Sequence, residues 1–118
     1  MIDLSYLNDI TDEDPVAKSQ LIELFINQSQ EITENFLNAQ KKGDVDEIGR
    51  IAHLAKSTSK VMGIFDVSEK MQELQELVDR HENADRYNEL VEFYYSAMPG
   101  NISLLRHELD SIKSANTL

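Results

Sequence analysis

The sequence predicts an all-α fold, an antiparallel up-and-down four-helix bundle with a short N-terminal helix capping one end. Two observations carry this. Apolar residues return at three- and four-residue steps along most of the chain, with little of the strict alternation that marks strands. Start and stop residues divide the pattern into four substantial segments with short connections, which makes successive helices antiparallel neighbours.

The short first helix is expected over about Leu4 to Asn8. In "TDEDPVAKSQ", Asp14 then reads as an N-cap and Pro15 as the first helical residue, where its missing N–H is no loss. That second helix runs to about Lys42 and shows the stripe Leu21, Phe25, Ile32, Phe36 and Ala39. Gly43 supplies a left-handed stop, and Asp44 with Glu47 forms a capping-box pair that opens the third helix. The third helix ends near Met62 and Gly63, after which Asp66 and Glu69 repeat the capping pattern. A fourth helix follows through Val67, Met71, Leu74 and Val78, and "DRHENAD" is the next loop. The last helical stretch covers about Ala84 to Lys113, with Pro99-Gly100 expected to kink it or break it into two shorter helices.

At 118 residues the chain is the size of one domain, taken as 1–118, and no internal repeat or linker divides it. The absence of a linker also favours a free-standing chain over a segment of a longer protein. Twenty-two acidic against 11 basic residues leave a formal charge of -11, which opposes binding to nucleic acid and to anionic membrane surfaces. With no cysteine there is no disulfide framework, thiolate metal site or cysteine nucleophile. The apolar runs are short and interrupted by charge, and "MIDLSYLNDI" lacks the basic start of a signal peptide, so a cytoplasmic protein is expected.

The third helix carries the feature that asks for an explanation. At about 100° per residue, Ile48, Ile51, Ala55, Thr58 and Met62 share one face, and His53 falls almost opposite. Asp46, Gly49, Lys56, Ser57 and Lys60 lie near the histidine on the outer face. Lys56 and Lys60 could offset an anion attached to the imidazole, Ser57 could donate to it, and Gly49 could leave room for something to approach. Periodicity alone leaves a second reading open, a solvated helix face with a stray glycine. His81, in a loop after a helix end, and His107, on an outward face of the last helix, lack this setting and read as structural.

The stretch "HLAKSTSKVMG", residues 53–63, resembles the signature of histidine-containing phosphotransfer (HPt) domains: histidine, any residue, leucine, lysine, glycine, two small residues, three variable ones, then glycine. The spacing from His53 to Gly63 is kept, and "GDVDEIGRIAH" and "IDLSYLNDITDEDP" are similar to the family's preceding helices, so the resemblance covers nearly the whole chain. Three positions depart. Ala55 stands in place of the usual leucine, Ser57 in place of a frequent glycine, and Lys60 where a small residue is frequent.

The resemblance implies that His53 accepts a phosphoryl group from the aspartyl phosphate of a receiver domain and passes it to another receiver. It implies electrostatic help from Lys56, orientation by Ser57 and by Gln75 on the neighbouring helix, and partner docking near Gly49 and Lys60. The expected partners are response-regulator receivers and a hybrid histidine kinase, acting on a monomer. No cofactor is expected on this chain; Mg²⁺ would come with the receiver, and no phosphate loop or kinase motif is present. The rival reading is a helical interaction module that performs no transfer. A metal-carboxylate bundle enzyme is opposed because no Glu or Asp lies three residues before any histidine.

Overall fold

The computed structural model describes residues 2–116, the last by its backbone alone, and among them forms five helices and no strand. The helices are α1 (Ser5–Ile10), α2 (Pro15–Lys42), α3 (Val45–Val61), α4 (Phe65–Arg80) and α5 (Asp85–Asn116). The expected bundle and its short capping helix are therefore present. The α1 helix sits a residue or two later than expected because Asp3 starts it, its carboxylate accepting from the Ser5 amide at 3.0 Å and the Ser5 hydroxyl at 2.6 Å.

The α2 helix begins as predicted, with the Asp14 carboxylate accepting from the Val16 amide at 3.1 Å. It ends at Gly43, whose φ of 64° lets the Asp44 amide reach back to the Ala39 carbonyl at 2.9 Å. Asp44 caps α3 through the Glu47 amide at 3.2 Å, but Glu47 does not return the bond; Arg50 takes its carboxylate instead.

The start of α4 differs from expectation. Phe65 is its first residue and the buried Ile64 its cap, so Asp66 lies inside the first turn, accepting from the Val67 amide at 2.9 Å. The left-handed turn at Gly63 brings the Ile64 amide back to the Ser59 carbonyl at 3.0 Å, and the chain re-enters helix at once.

Nor is α5 broken at Pro99. It runs through the proline as one helix, with Pro99 exposed and Met98 and Leu105 buried on either side. The proline forgoes one hydrogen bond on a solvent-facing side, and the burial of the opposite face holds the helix together.

The core joins Phe25, Ile32, Phe36 and Ala39 of α2 to Ile48, Ile51 and Ala55 of α3, Met71 and Leu74 of α4, and Leu90 and Tyr94 of α5. Tyr94 meets Phe36 edge to face at 5.6 Å between ring centroids. Ile22 is fully buried on α2 while Leu21 is only partly covered. Thr58 turns its hydroxyl back to the Leu54 carbonyl at 3.0 Å, and Ser59 is the buried residue beside it.

Helices α2 and α5 run antiparallel along their lengths, tied by Gln40 to Asn88 near one end and Lys18 to Glu108 near the other. They are about 42 and 48 Å long at 1.5 Å per residue, against about 25 Å for α3 and α4, in a molecule extending 53 × 23 × 19 Å. Four helices therefore lie side by side over only part of the long axis. His53 stands in the middle of α3, within that four-helix part.

Candidate functional site

His53 is exposed, as its position on the helix predicts. Its Nδ1 lies 3.2 Å from Oε1 of Gln75, twenty-two residues along the chain on α4. An amide oxygen only accepts, so the contact is a hydrogen bond in the tautomer that carries its proton on Nδ1 and leaves the lone pair on Nε2. A side chain of α4 thus meets the imidazole of α3 at a distance that suits the Nδ1–H tautomer. A second tie between these helices keeps them in register, the Ser68 hydroxyl donating to the Lys56 carbonyl at 3.0 Å.

An open groove of about 410 Å³ runs beside the imidazole between α3 and α4. Its α3 wall consists of Asp46, Gly49, Arg50 and His53, and its α4 wall of Gln75, Val78, Asp79 and the terminal His81. Arg50 and His81 are among the four of these residues, with Val78 and Asp79, that were not expected here. His81 adopts the left-handed conformation that ends α4, at φ 56°, and also forms the groove's rim. Arg50, one turn before His53, donates two hydrogen bonds to the Glu47 carboxylate. This pairing holds the Glu47 carboxyl below its ordinary range and pushes the guanidinium up.

Gly49 corrects the sequence reading. It is buried, and a Cβ on it would lie 2.8 Å from Cγ1 and 3.3 Å from Cβ of Val78. The glycine is a packing requirement between α3 and α4, and not an exposed clearance for a partner. The wheel misplaced it because α3 is covered on two flanks, by α2 and by α4, so its buried arc is wider than one apolar stripe.

The lysines lie on the other side of the histidine. Lys56 is half-buried and shares a groove with Tyr6, Ser57, Lys60, Val61 and Phe65, and another with Ser68, Glu69 and Gln72. Neither Lys56 nor Lys60 makes an ion pair among the described residues, so both cations are available. The Ser57 hydroxyl donates to the His53 carbonyl at 3.2 Å, which turns it to its own helix and away from the imidazole role expected of it. His107 is exposed on α5 and lies outside the groove of His53 and the two grooves of Lys56. No cluster of three or more potential metal ligands occurs among the described residues, and no described helix is long and apolar enough to cross a membrane.

The structure resembles the crystal structure of histidine-containing phosphotransfer protein B (HptB) from Pseudomonas aeruginosa PAO1, with a TM-score of 0.84 and 23% identity, over 93% of this chain and 95% of that one. At that identity the likeness speaks for the fold. No curated protein sequence gives a match. The model of the Hpt domain family matches residues 20–115, a span that holds α3, α4 and both partners of the imidazole hydrogen bond, and the chain therefore belongs to the Hpt domain family, the histidine phosphotransfer domains of two-component phosphorelays.

Proposed function

We propose that His53 is the phosphoacceptor of this domain and shuttles a phosphoryl group from one receiver aspartate to another. The observation that carries the proposal is the 3.2 Å contact between Nδ1 and the Gln75 oxygen, which leaves Nε2 as the nucleophile on an exposed ring. A docked receiver presents its aspartyl phosphate to Nε2. The lone pair forms the N–P bond as the P–O bond breaks, and the aspartate departs as a carboxylate. Nδ1 keeps its proton throughout, so the phosphorylated ring is an imidazolium whose N–H now donates a charge-assisted bond to Gln75. In the onward step a second receiver's carboxylate attacks phosphorus, and the N–P electron pair returns to Nε2.

The chain's own contribution is a positioned imidazole with cations nearby; charge on the transferring group is otherwise met by the receiver, which brings Mg²⁺ and acidic residues. Lys56 and Lys60 supply positive potential on one side of the ring in a protein of net charge -11. Exposed Leu54, Tyr6 and Phe65 give the same face apolar area for a receiver to cover. Action as a monomer leaves this face free for a receiver or for the receiver part of a hybrid kinase.

The test mixes the protein and a His53→Gln variant with aspartyl-phosphorylated receivers and Mg²⁺, and follows acid-labile phosphate on the bundle. Label is expected on the wild type and absent from the variant, whose helical circular dichroism stays unchanged. Label persisting on the variant places the acceptor elsewhere, and no label from any receiver makes the domain an interaction module.

A further inference from the structure

We propose that Arg50 is the phosphoryl-binding cation of the His53 groove and that Glu47 holds it in reserve until the histidine is phosphorylated. This rests on the reading of His53 as the acceptor and assigns a role to two residues outside the signature. Glu47, Arg50, His53 and Lys56 follow one another at three-residue steps and form a row along α3. The imidazole is therefore bracketed by a cation one turn before it and another one turn after.

The two cations are not equivalent. Arg50 lines the groove with His53 and Gln75, whereas Lys56 opens onto the grooves on the far side with Lys60 and Phe65. Among the described residues Arg50 is the only Arg or Lys in the His53 groove, whose remaining titratable groups besides His53 are Asp46, Asp79 and His81. A phosphoryl group placed there meets two carboxylates, so it needs the guanidinium more than the bare ring does. Arginine also has the donor geometry for the task, since the planar fork that grips a carboxylate grips a phosphoryl group in the same bidentate way.

Before phosphorylation the fork is occupied by Glu47. Helical side chains lean toward the N-terminus, which points Arg50 at Glu47 and away from His53. The Arg50 side chain is 63% exposed, so it is free to change rotamer. The phosphoryl group on the ring presents three acceptor oxygens and about two negative charges of its own, against the two oxygens and single charge of the Glu47 carboxylate, and draws the fork across by one turn. Glu47 therefore opposes retention of the phosphoryl group and keeps it transferable, while Arg50 favours its retention.

The experiment has two readouts. Phosphoramidate, a small donor that gives up its phosphoryl group with loss of ammonia, labels the imidazole without a receiver, and the Arg50 side-chain Nε–H signal is followed by NMR before and after. A shift of that signal in the wild type, enlarged in Glu47→Gln, is expected; a labelled His53 with an unmoved Arg50 signal overturns the inference while leaving the acceptor intact. The second readout is the partition of label between the domain and a phosphorylated receiver at equilibrium. Arg50→Gln is expected to move it about threefold toward the receiver, Arg50→Lys less, and Glu47→Gln in the opposite direction, from the usual strength of exposed charge pairs. Equal partition in all four proteins overturns it. A wild type that phosphoramidate labels but no receiver does indicts the relay reading separately.

Discussion

A Gln75→Leu variant keeps much of the side chain's bulk and removes the acceptor for the His53 Nδ1 proton. With Gln75 half-exposed, the lost bond is worth about 1 kcal/mol, which predicts phosphoryl acceptance roughly fivefold slower on an unchanged fold. Nitrogen NMR of the imidazole checks the cause, because the variant should show a mixture of tautomers where the wild type shows Nδ1–H; a single unchanged tautomer contradicts the assignment. At this scale the sequence was informative where a signature exists. His53 and Lys56 are marked by the spacing to Gly63, and only family resemblance pairs Gln75 with a histidine twenty-two residues away. Arg50 was legible in principle, as the middle of a Glu47, Arg50, His53 row, but which side of the histidine opens into a groove depends on how α4 packs against α3. His81 was not legible, since its place in the groove depends on how far α4 runs before it ends.

Between helices, the close approach of α3 and α4 rests on Gly49. An alanine there gains up to about 1 kcal/mol of helix propensity, yet its methyl group meets Val78 at 2.8 Å and 3.3 Å on atoms of a stiff branched side chain. Overpacking of this kind costs about 1 to 3 kcal/mol, so Gly49→Ala is expected to be net destabilising in chemical denaturation. Val78→Ala removes the obstructing methyl groups. The double variant should therefore be more stable than the sum of the two single changes predicts, and simple additivity would show that Gly49 is not there for packing. Helix number and most boundaries followed from caps and periodicity, because those are local. The start of α4 and the continuity of α5 did not follow. The first depends on a buried Ile64 and a left-handed Gly63, the second on a buried face that outweighs the missing bond at Pro99. Both are decided by tertiary burial that competes with local punctuation.

Across the whole molecule, the long helices α2 and α5 leave α3 and α4 short of one end, and α1 fills in where the four-helix part stops. Gly63 is where that arrangement is secured. A Cβ there would lie 1.8 Å from the Asp3 carbonyl oxygen and 2.5 Å from its carbonyl carbon, so the N-terminal main chain lies directly on the α3–α4 turn. The φ of 68° at Gly63 adds its own penalty for any side chain. Asp3 in turn starts α1 through Ser5, and α1 buries Leu7 and sets Tyr6 beside Lys56 and Lys60. The signature glycine therefore links the phosphoacceptor helix to the segment that completes its apolar flank. Gly63→Ala must displace backbone on one side or the other, and the N-terminal segment, with few partners, is the side that yields. The expected result is a loss of about 1 to 3 kcal/mol and, in hydrogen exchange, lost protection at the amides of Asn8 and Thr11, which bond to Leu4 and Leu7. Amides of α3 and α4 should keep theirs, and the His53–Gln75 contact should persist. Protection lost evenly over all helices would mean that the turn itself, and not the N-terminal segment, gives way, whereas unchanged protection at Asn8 would mean that Asp3 is not held against Gly63 in solution.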